Sequence, residues 1–238
     1  MELFFSKNIN NDIVILDRFE SKHCIKVLRK KIGDKINIVN GKGVLYSGVI
    51  VSDNYNECHV KIVNKINNYD KKDYYVHIAI SPIKNHNRLE WFIEKSVEIG
   101  IDEISFIACD RTLRNTIKMN RILNTSISAM KQTLKASLPR INNICTLDEF
   151  IKNNKESNKF ICHLEYENKS DLFEFKDQFK SKKKSCILIG PEGDFTLDEI
   201  KKAELYDFVS INLGKNRLRT ETAGIVACHL LNLINIYD

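Results

Sequence analysis

Two segments of this chain have the composition of ligand-holding loops. The first is Ile189-Gly190-Pro191-Glu192-Gly193-Asp194-Phe195. The second is Leu213-Gly214-Lys215-Asn216-Arg217-Leu218-Arg219-Thr220-Glu221-Thr222-Ala223. Each follows a short apolar run and precedes a helix signal. Thr196-Leu197-Asp198-Glu199 is a capping box, and Ala223, Val226, Ala227, Leu230, Leu231 and Ile234 recur at helical spacing. Open α/β sheets bind ligands beyond the carboxyl ends of their strands, where glycine lets the backbone approach closely. Two such loops in succession can wrap a nucleoside between them, although Gly190-Pro191 taken alone reads equally well as a plain turn. Neither loop fits G-x-G-x-x-G, G-x-x-x-x-G-K-[ST] or a G-x-S-x-G elbow, which argues against Rossmann-type hydride transfer and P-loop hydrolysis.

The elements that must carry these loops alternate strand and helix. Tyr75–Ser81, Ile104–Ala108, Lys159–Leu164, Ser185–Ile189 and Phe208–Leu213 read as strands. Asn87–Ile99 and a stretch from about Asn120 to Ser137 read as amphipathic helices. That alternation predicts an α/β layer fold with a mostly parallel sheet. The first seventy residues differ. Ile13–Leu16, Lys35–Val39, Val44–Val51 and His59–Val63 are short strands, Asn40-Gly41-Lys42-Gly43 is a tight connection, and Glu20–Arg29 is a helical insertion. The polar stretch Asn67–Asp73 separates a small β-barrel domain, residues 1–70, from the α/β domain, residues 75–238.

Composition narrows the function class. Of 238 residues, 43% are apolar and 29% charged, a globular profile. No run approaches the roughly 18–20 apolar residues of a membrane span. The first residues are too lightly charged for a signal peptide, so a cytoplasmic protein is expected. Seven cysteines stand far apart without a C-x-x-C pair, which argues against a disulfide framework and against a zinc site, and no metal is expected. The formal charge of +6 permits a polyanionic partner without demanding one.

Five motifs, in order along the chain, resemble those of the RsmE family of SPOUT methyltransferases. His23-Cys24-Ile25-Lys26-Val27-Leu28-Arg29 is similar to the family's H-x-x-x-V-L-R in a PUA-like barrel. Lys84, Arg88, Glu90, Lys95, Glu98 and Gly100 follow a charged helical segment, and Ala129-Met130-Lys131-Gln132 with Pro139 resembles A-x-x-Q…P. Ile189–Phe195 resembles I-G-P-E-G-G-F, and Leu213–Ala223 resembles L-G-x-R-I-L-R-T-E-T-A. Two departures stand out: Asp194 replaces a glycine, and Asn216-Arg217 displaces an arginine by one position.

The resemblance implies an S-adenosylmethionine-dependent methyltransferase of the N3 atom of a uridine in 16S ribosomal RNA, acting on that RNA or on the assembled small subunit. It implies a deep trefoil knot, a rare exception to un-knotted chains, and a homodimer with its active site at the interface. Leu164, Leu188, Ile189, Gly190, Pro191, Glu192, Gly193, Leu213, Gly214 and Leu218 would hold the cofactor. Uracil N3 carries a proton that must leave or be polarised, and charge then develops on the base. Arg217 and Arg219 are candidates to stabilise that charge, and Glu221 to act as base or positioning group. Arg219 serves equally as a phosphate contact and Glu221 as a helix cap. His23, Lys26, Arg29, Lys84, Arg88 and Lys95 are the candidate RNA contacts. Two alternatives remain: a SPOUT enzyme modifying another RNA or atom, such as a ribose 2′-hydroxyl, and a non-catalytic RNA-binding assembly protein.

Overall fold

The computed structural model describes residues 2–165, 169–181 and 183–237, which fall into two compact units. One comprises the chain up to Lys71 together with Ser126–Leu138. Its strands are β1 (Leu3–Phe5), β2 (Asn8–Asn10), β3 (Ile13–Ile15), β4 (Lys35–Val39), β5 (Val44–Ser52) and β6 (His59–Asn67). They form a six-stranded sheet ordered β1-β4-β5-β6-β3-β2, antiparallel except between β1 and β4. Alternation along these strands points Phe4, Val14, Ile36, Ile38, Ile50 and Val60 into one core. The helical insertion is α1 (Arg18–Lys22), continued by a π-helical turn over His23–Val27. The Asp17 carboxylate starts it by accepting from the Glu20 amide at 2.8 Å. Glu20 itself is buried and ion-paired with Lys131.

The other unit contains β7 (Tyr75–Ile80), α2 (His86–Ile99), β8 (Glu103–Ala108), β9 (Arg140–Thr146), α4 (Leu147–Asn153), β10 (Asn158–Cys162), β11 (Ser170–Asp171), α5 (Lys176–Ser181), β12 (Lys184–Ile189), α6 (Leu197–Leu205), β13 (Val209–Asn212) and α7 (Thr220–Tyr237). The remaining helix, α3 (Met119–Gln132), contributes its first turns here and its last turns to the first unit. The seven strands are ordered β11-β13-β10-β12-β7-β8-β9, and every pairing is parallel. Ser185–Ile189 of β12 is buried throughout, as a central parallel strand covered on both faces must be. Phe195, Ile200, Ala203 and Phe208 pack with Leu188 beneath the β12–α6 connection.

The structure differs from the sequence pattern at several places. Helix α3 ends at Gln132 instead of running to Ser137. Leu134 turns left-handed at φ 58°, and the Lys135 amide bonds back to the Met130 carbonyl at 3.0 Å. The strand expected to reach Leu164 ends at Cys162, and that expected over Phe208–Leu213 spans Val209–Asn212. On α7 the buried face carries Gly224, Ala227, Cys228, Leu231, Asn232 and Ile234, while Ala223, Val226 and Leu230 stay half-buried. A Cβ on Gly224 would lie 2.6 Å from the Phe92 ring, so α7 rests directly against α2. Among the described residues no helix is long and apolar enough to cross a membrane.

Candidate active site

Sheet order explains why distant stretches of sequence meet. Strands β13, β10 and β12 are neighbours and run in one direction, so the segments leaving their carboxyl ends converge. Those segments are Cys162–Leu164, Gly190–Glu192 with Asp194, and Leu213–Arg219, and with the start of α7 they line a cavity of about 1060 Å³. That volume sits at the upper end of ordinary ligand pockets. Ile189, Ile211, Leu213, Leu218 and Ala223 give it an apolar wall, while Glu192, Asp194, Lys169, Arg217, Arg219 and Glu221 give it charge.

The geometry places each candidate residue. Leu164, Ile189, Gly190, Pro191, Glu192, Leu213, Gly214 and Leu218 all line the cavity. Leu188 does not; it points into the core beneath, fully buried. Gly193 lies outside the lining, its carbonyl accepting from the Arg111 guanidinium at 2.7 Å. Arg217, Arg219 and Glu221 line the cavity together. The Arg219 carbonyl accepts from the Ala223 amide at 2.8 Å, the first turn of α7. Gly214 has φ +115°, a conformation a Cβ would strain.

Glu221 is the unusual group. Its side chain is 5% exposed, its Oε1 lies 3.6 Å from Arg88 Nε, and its Oε2 has no partner among the described residues. A buried carboxylate oxygen without a donor is costly, which marks it for a ligand that brings one. Thr220-Glu221 opens α7, so the helix dipole also favours the charge. Capping and ligand contact are compatible here, since only Oε1 is engaged.

Sequence reasoning placed Arg88 among RNA contacts; the structure also makes it a wall of this cavity, paired with Glu221. Lys95, on the same helix, is held by Glu94 and Glu98 at 2.8 Å each. Lys84 is exposed, with its amide 3.2 Å from Glu192 Oε1 and its carbonyl accepting from Arg114 at 3.1 Å. In the other unit, Lys26 and Arg29 are exposed and His23 half-buried, with Lys26 Nζ 3.9 Å above the Tyr55 ring.

Lining residues that sequence reasoning did not nominate include Cys162, His163, Lys169, Asp171 and Asn212, while Asp194, noted there as a departure, lines the cavity too. Cys162 ends the parallel strand β10 and His163 follows it, a position at the carboxyl end that by itself nominates them. Burial pushes the Cys162 thiol up, keeping it a neutral, unreactive group. Burial, then the nearby Lys169, pushes His163 down, so it is uncharged at neutral pH. The Lys169 ammonium, itself lowered by burial, donates to the His163 carbonyl at 2.6 Å.

A second cavity, of about 690 Å³, opens at the amino ends of β7–β9. There His77, Glu103 and Glu156 bring ligand-type atoms within 4.8 Å of one another. Each is already engaged: His77 by Glu156 and Ser105, Glu103 by Tyr75 and Asn142. The cluster is a closed hydrogen-bonded network.

Comparison with known proteins gives the site its context. Residues 70–232 match the RNA methyltransferase domain family, and residues 16–63 the RNA methyltransferase PUA domain family. The chain is 30% identical over 215 residues to ribosomal RNA small subunit methyltransferase E of Buchnera aphidicola from Acyrthosiphon pisum, covering 87% of this chain and 83% of that one. The chain belongs to the ribosomal RNA small subunit methyltransferase E family. It is an RNA methyltransferase with an N-terminal PUA domain. Among solved structures, a probable rRNA-methyltransferase from Porphyromonas gingivalis is 33% identical, with TM-score 0.89 over 100% of this chain and 99% of that one. The methyltransferase also shares its fold with the Neisseria gonorrhoeae family member bound to S-adenosyl methionine, at TM-score 0.86, 22% identity and 98% and 97% coverage.

Proposed function

We propose that this methyltransferase transfers the methyl group of S-adenosylmethionine to the N3 atom of a uridine in 16S ribosomal RNA of the small subunit. The observation that carries this reading is the buried Glu221 carboxylate, with one unpartnered oxygen, in a cavity lined by three arginines.

The residues present fit the cofactor. Its net positive charge suits a pocket holding Glu192 and Glu221, and its purine suits the apolar wall of Ile189, Leu213 and Leu218. Bound there, S-adenosylmethionine supplies an electrophilic methyl group on a sulfonium. Glu221 Oε2 accepts the N3 proton of the uracil, raising its nucleophilicity. Arg217 and Arg219, both exposed at the cavity mouth, stabilise the negative charge that develops on O2 and O4. Arg88 holds the Glu221 carboxylate through Oε1 and leaves Oε2 free for the base.

Residues 1–70 are assigned to RNA binding, through His23, Lys26 and Arg29, and residues 75–238 to cofactor binding and catalysis. Lys84, Arg88 and Lys95 are assigned to phosphate contacts from the second domain. The half-buried apolar row Val226, Leu230 and Leu233 on α7 supports a homodimer. The order β13-β10-β12-β7, with α7 returning to pack on β7 and β12, supports a knotted threading of the C-terminal segment. A ribosomal RNA substrate supports a cytoplasmic location.

The test is methyl transfer from labelled cofactor to small ribosomal subunits lacking their native methylations, followed by nucleoside analysis. Recovery of 3-methyluridine at one site is expected. A different methylated nucleoside would overturn the N3 assignment, and cofactor-independent RNA binding without transfer would favour an assembly role.

A further inference from the structure

The carboxylate of Asp194 reaches across the cavity wall. Its Oδ2 accepts from the Leu164 amide at 2.7 Å, thirty positions away in sequence, and its Oδ1 accepts from the Phe195 amide at 2.8 Å. The Asp194 amide in turn donates to the Pro191 carbonyl at 2.9 Å, closing a tight turn. To make these contacts Asp194 adopts φ +64°, a left-handed conformation unusual outside glycine. The segment is pinned elsewhere too: Arg111 donates to the Gly193 carbonyl, and Glu192 accepts from the Lys84 amide. Those ties run toward the segments after β8 and β7, whereas Asp194 joins the segment after β12 to the segment after β10. These are two of the three segments that line the cavity.

We propose that Asp194 is a positioning residue of the methyltransferase. Its carboxylate clamps the Gly190–Phe195 loop to Leu164 and so fixes the spacing of two cofactor-pocket walls before the ligand arrives. The inference rests on the assignment of S-adenosylmethionine to this cavity. Hydrogen bonds from backbone amides to a charged carboxylate are among the stronger ones, and a left-handed non-glycine residue persists only where its surroundings hold it there. Two such bonds on one strained residue make a preorganised hinge point, and preorganisation acts on affinity.

Two variants separate the clamp from other roles. Asp194→Gly removes both bonds yet suits φ +64°, so the protein still folds. Asp194→Asn tolerates the left-handed conformation and keeps one acceptor while losing the other. Binding of S-adenosylmethionine and of its uncharged thioether product, S-adenosylhomocysteine, is measured by calorimetry on the full chain, beside KM and kcat for methyl transfer. The expected result is a parallel loss for both ligands, roughly tenfold in D194G and about threefold in D194N, corresponding to one charged-group hydrogen bond and part of one. KM for the cofactor rises by the same factors, kcat stays within twofold, and the ligand-free melting temperature moves little. Weakening of the sulfonium ligand alone would overturn the clamp and make Asp194 a counter-charge. Unchanged affinity for both ligands in D194G would also overturn it. If the wild-type chain binds neither ligand, the cofactor assignment fails first and the clamp with it.

Discussion

Replacing Glu221 by glutamine should separate catalysis from stability in opposite directions. The carboxylate is 5% exposed and meets Arg88 Nε at 3.6 Å. At an effective dielectric near 20 that pair has a Coulomb term of ~4–5 kcal/mol. Arg88 is 42% exposed, so solvent reduces the usable part to about 1 kcal/mol. The N-terminal dipole of α7 contributes roughly 0.3–2 kcal/mol more. Against these stands Oε2, buried without a partner, at a cost of about 1–3 kcal/mol or more. The terms nearly cancel, so E221Q should shift stability by no more than about 1 kcal/mol, or roughly 2–4 °C in a chain of this size. In the proposed mechanism glutamine cannot take the uracil proton. Loss of a general base typically costs about 10²–10⁴ in rate, and kcat should fall by at least ~100-fold, close to 2.7 kcal/mol of barrier. Single-turnover methyl transfer and a thermal melt on the same preparation suffice. A kcat within threefold of wild type, together with a melting temperature lowered by more than about 4 °C, would refute the reasoning and leave Glu221 a helix cap.

Phe195, fully buried among Leu188, Ile200 and Phe208, anchors the loop that Asp194 clamps, so Phe195→Ala should cost about 3–5 kcal/mol in denaturant unfolding. Gly214→Ala meets no atom within 4 Å but forces a Cβ onto φ +115°, at about 1–3 kcal/mol; the expected sign is weaker cofactor binding by calorimetry from a displaced Leu213–Leu218 wall. Burial raises the Glu156 carboxyl, but the hydrogen bond and charge of His77 outweigh it and hold its pKa below the ordinary value. A depressed carboxylate stabilises the fold above the unfolded pKa and loses that contribution as pH falls, here below about pH 4.3. Melting curves from pH 6 to pH 3 should therefore fall more steeply for wild type than for Glu156→Gln; parallel curves would rule the pair out as a source of acid lability.

The candidate site was legible where local rules suffice. Thr196 and Glu199 form the reciprocal capping box that their spacing announces, and Gly190 and Gly214 stand where two parallel strands end. The same rule, applied to Thr146 and Glu149, would have found α4, whose box is equally complete. Apolar spacing carried α3 too far because Leu134 continues the stripe in sequence while leaving the helix in space, with no glycine to mark the turn. Arg88 and Glu221 are joined only by the packing of α2 against α7, and Leu164 and Asp194 only by the adjacency of β10 and β12. Long-range pairs of this kind follow from sheet order, which one sequence does not encode in any local pattern.

Sheet order also governs when the enzyme can exist. Strand β7 is flanked by β8, which follows it closely, and by β12, more than a hundred positions later. Until β12 is synthesised, the apolar β7 has one open edge and the loops that line the cavity have no floor. Closing such distant pairings costs loop entropy before any contact repays it, so folding should be slow, on the millisecond-to-second scale or beyond. The first unit waits as well, since Ser126–Leu138 completes it and the buried Glu20 meets its Lys131 partner only once α3 has been made. A chain interrupted after β8 therefore carries neither unit whole: the first lacks Ser126–Leu138, and the methyltransferase sheet stays open until β12 pairs with β7.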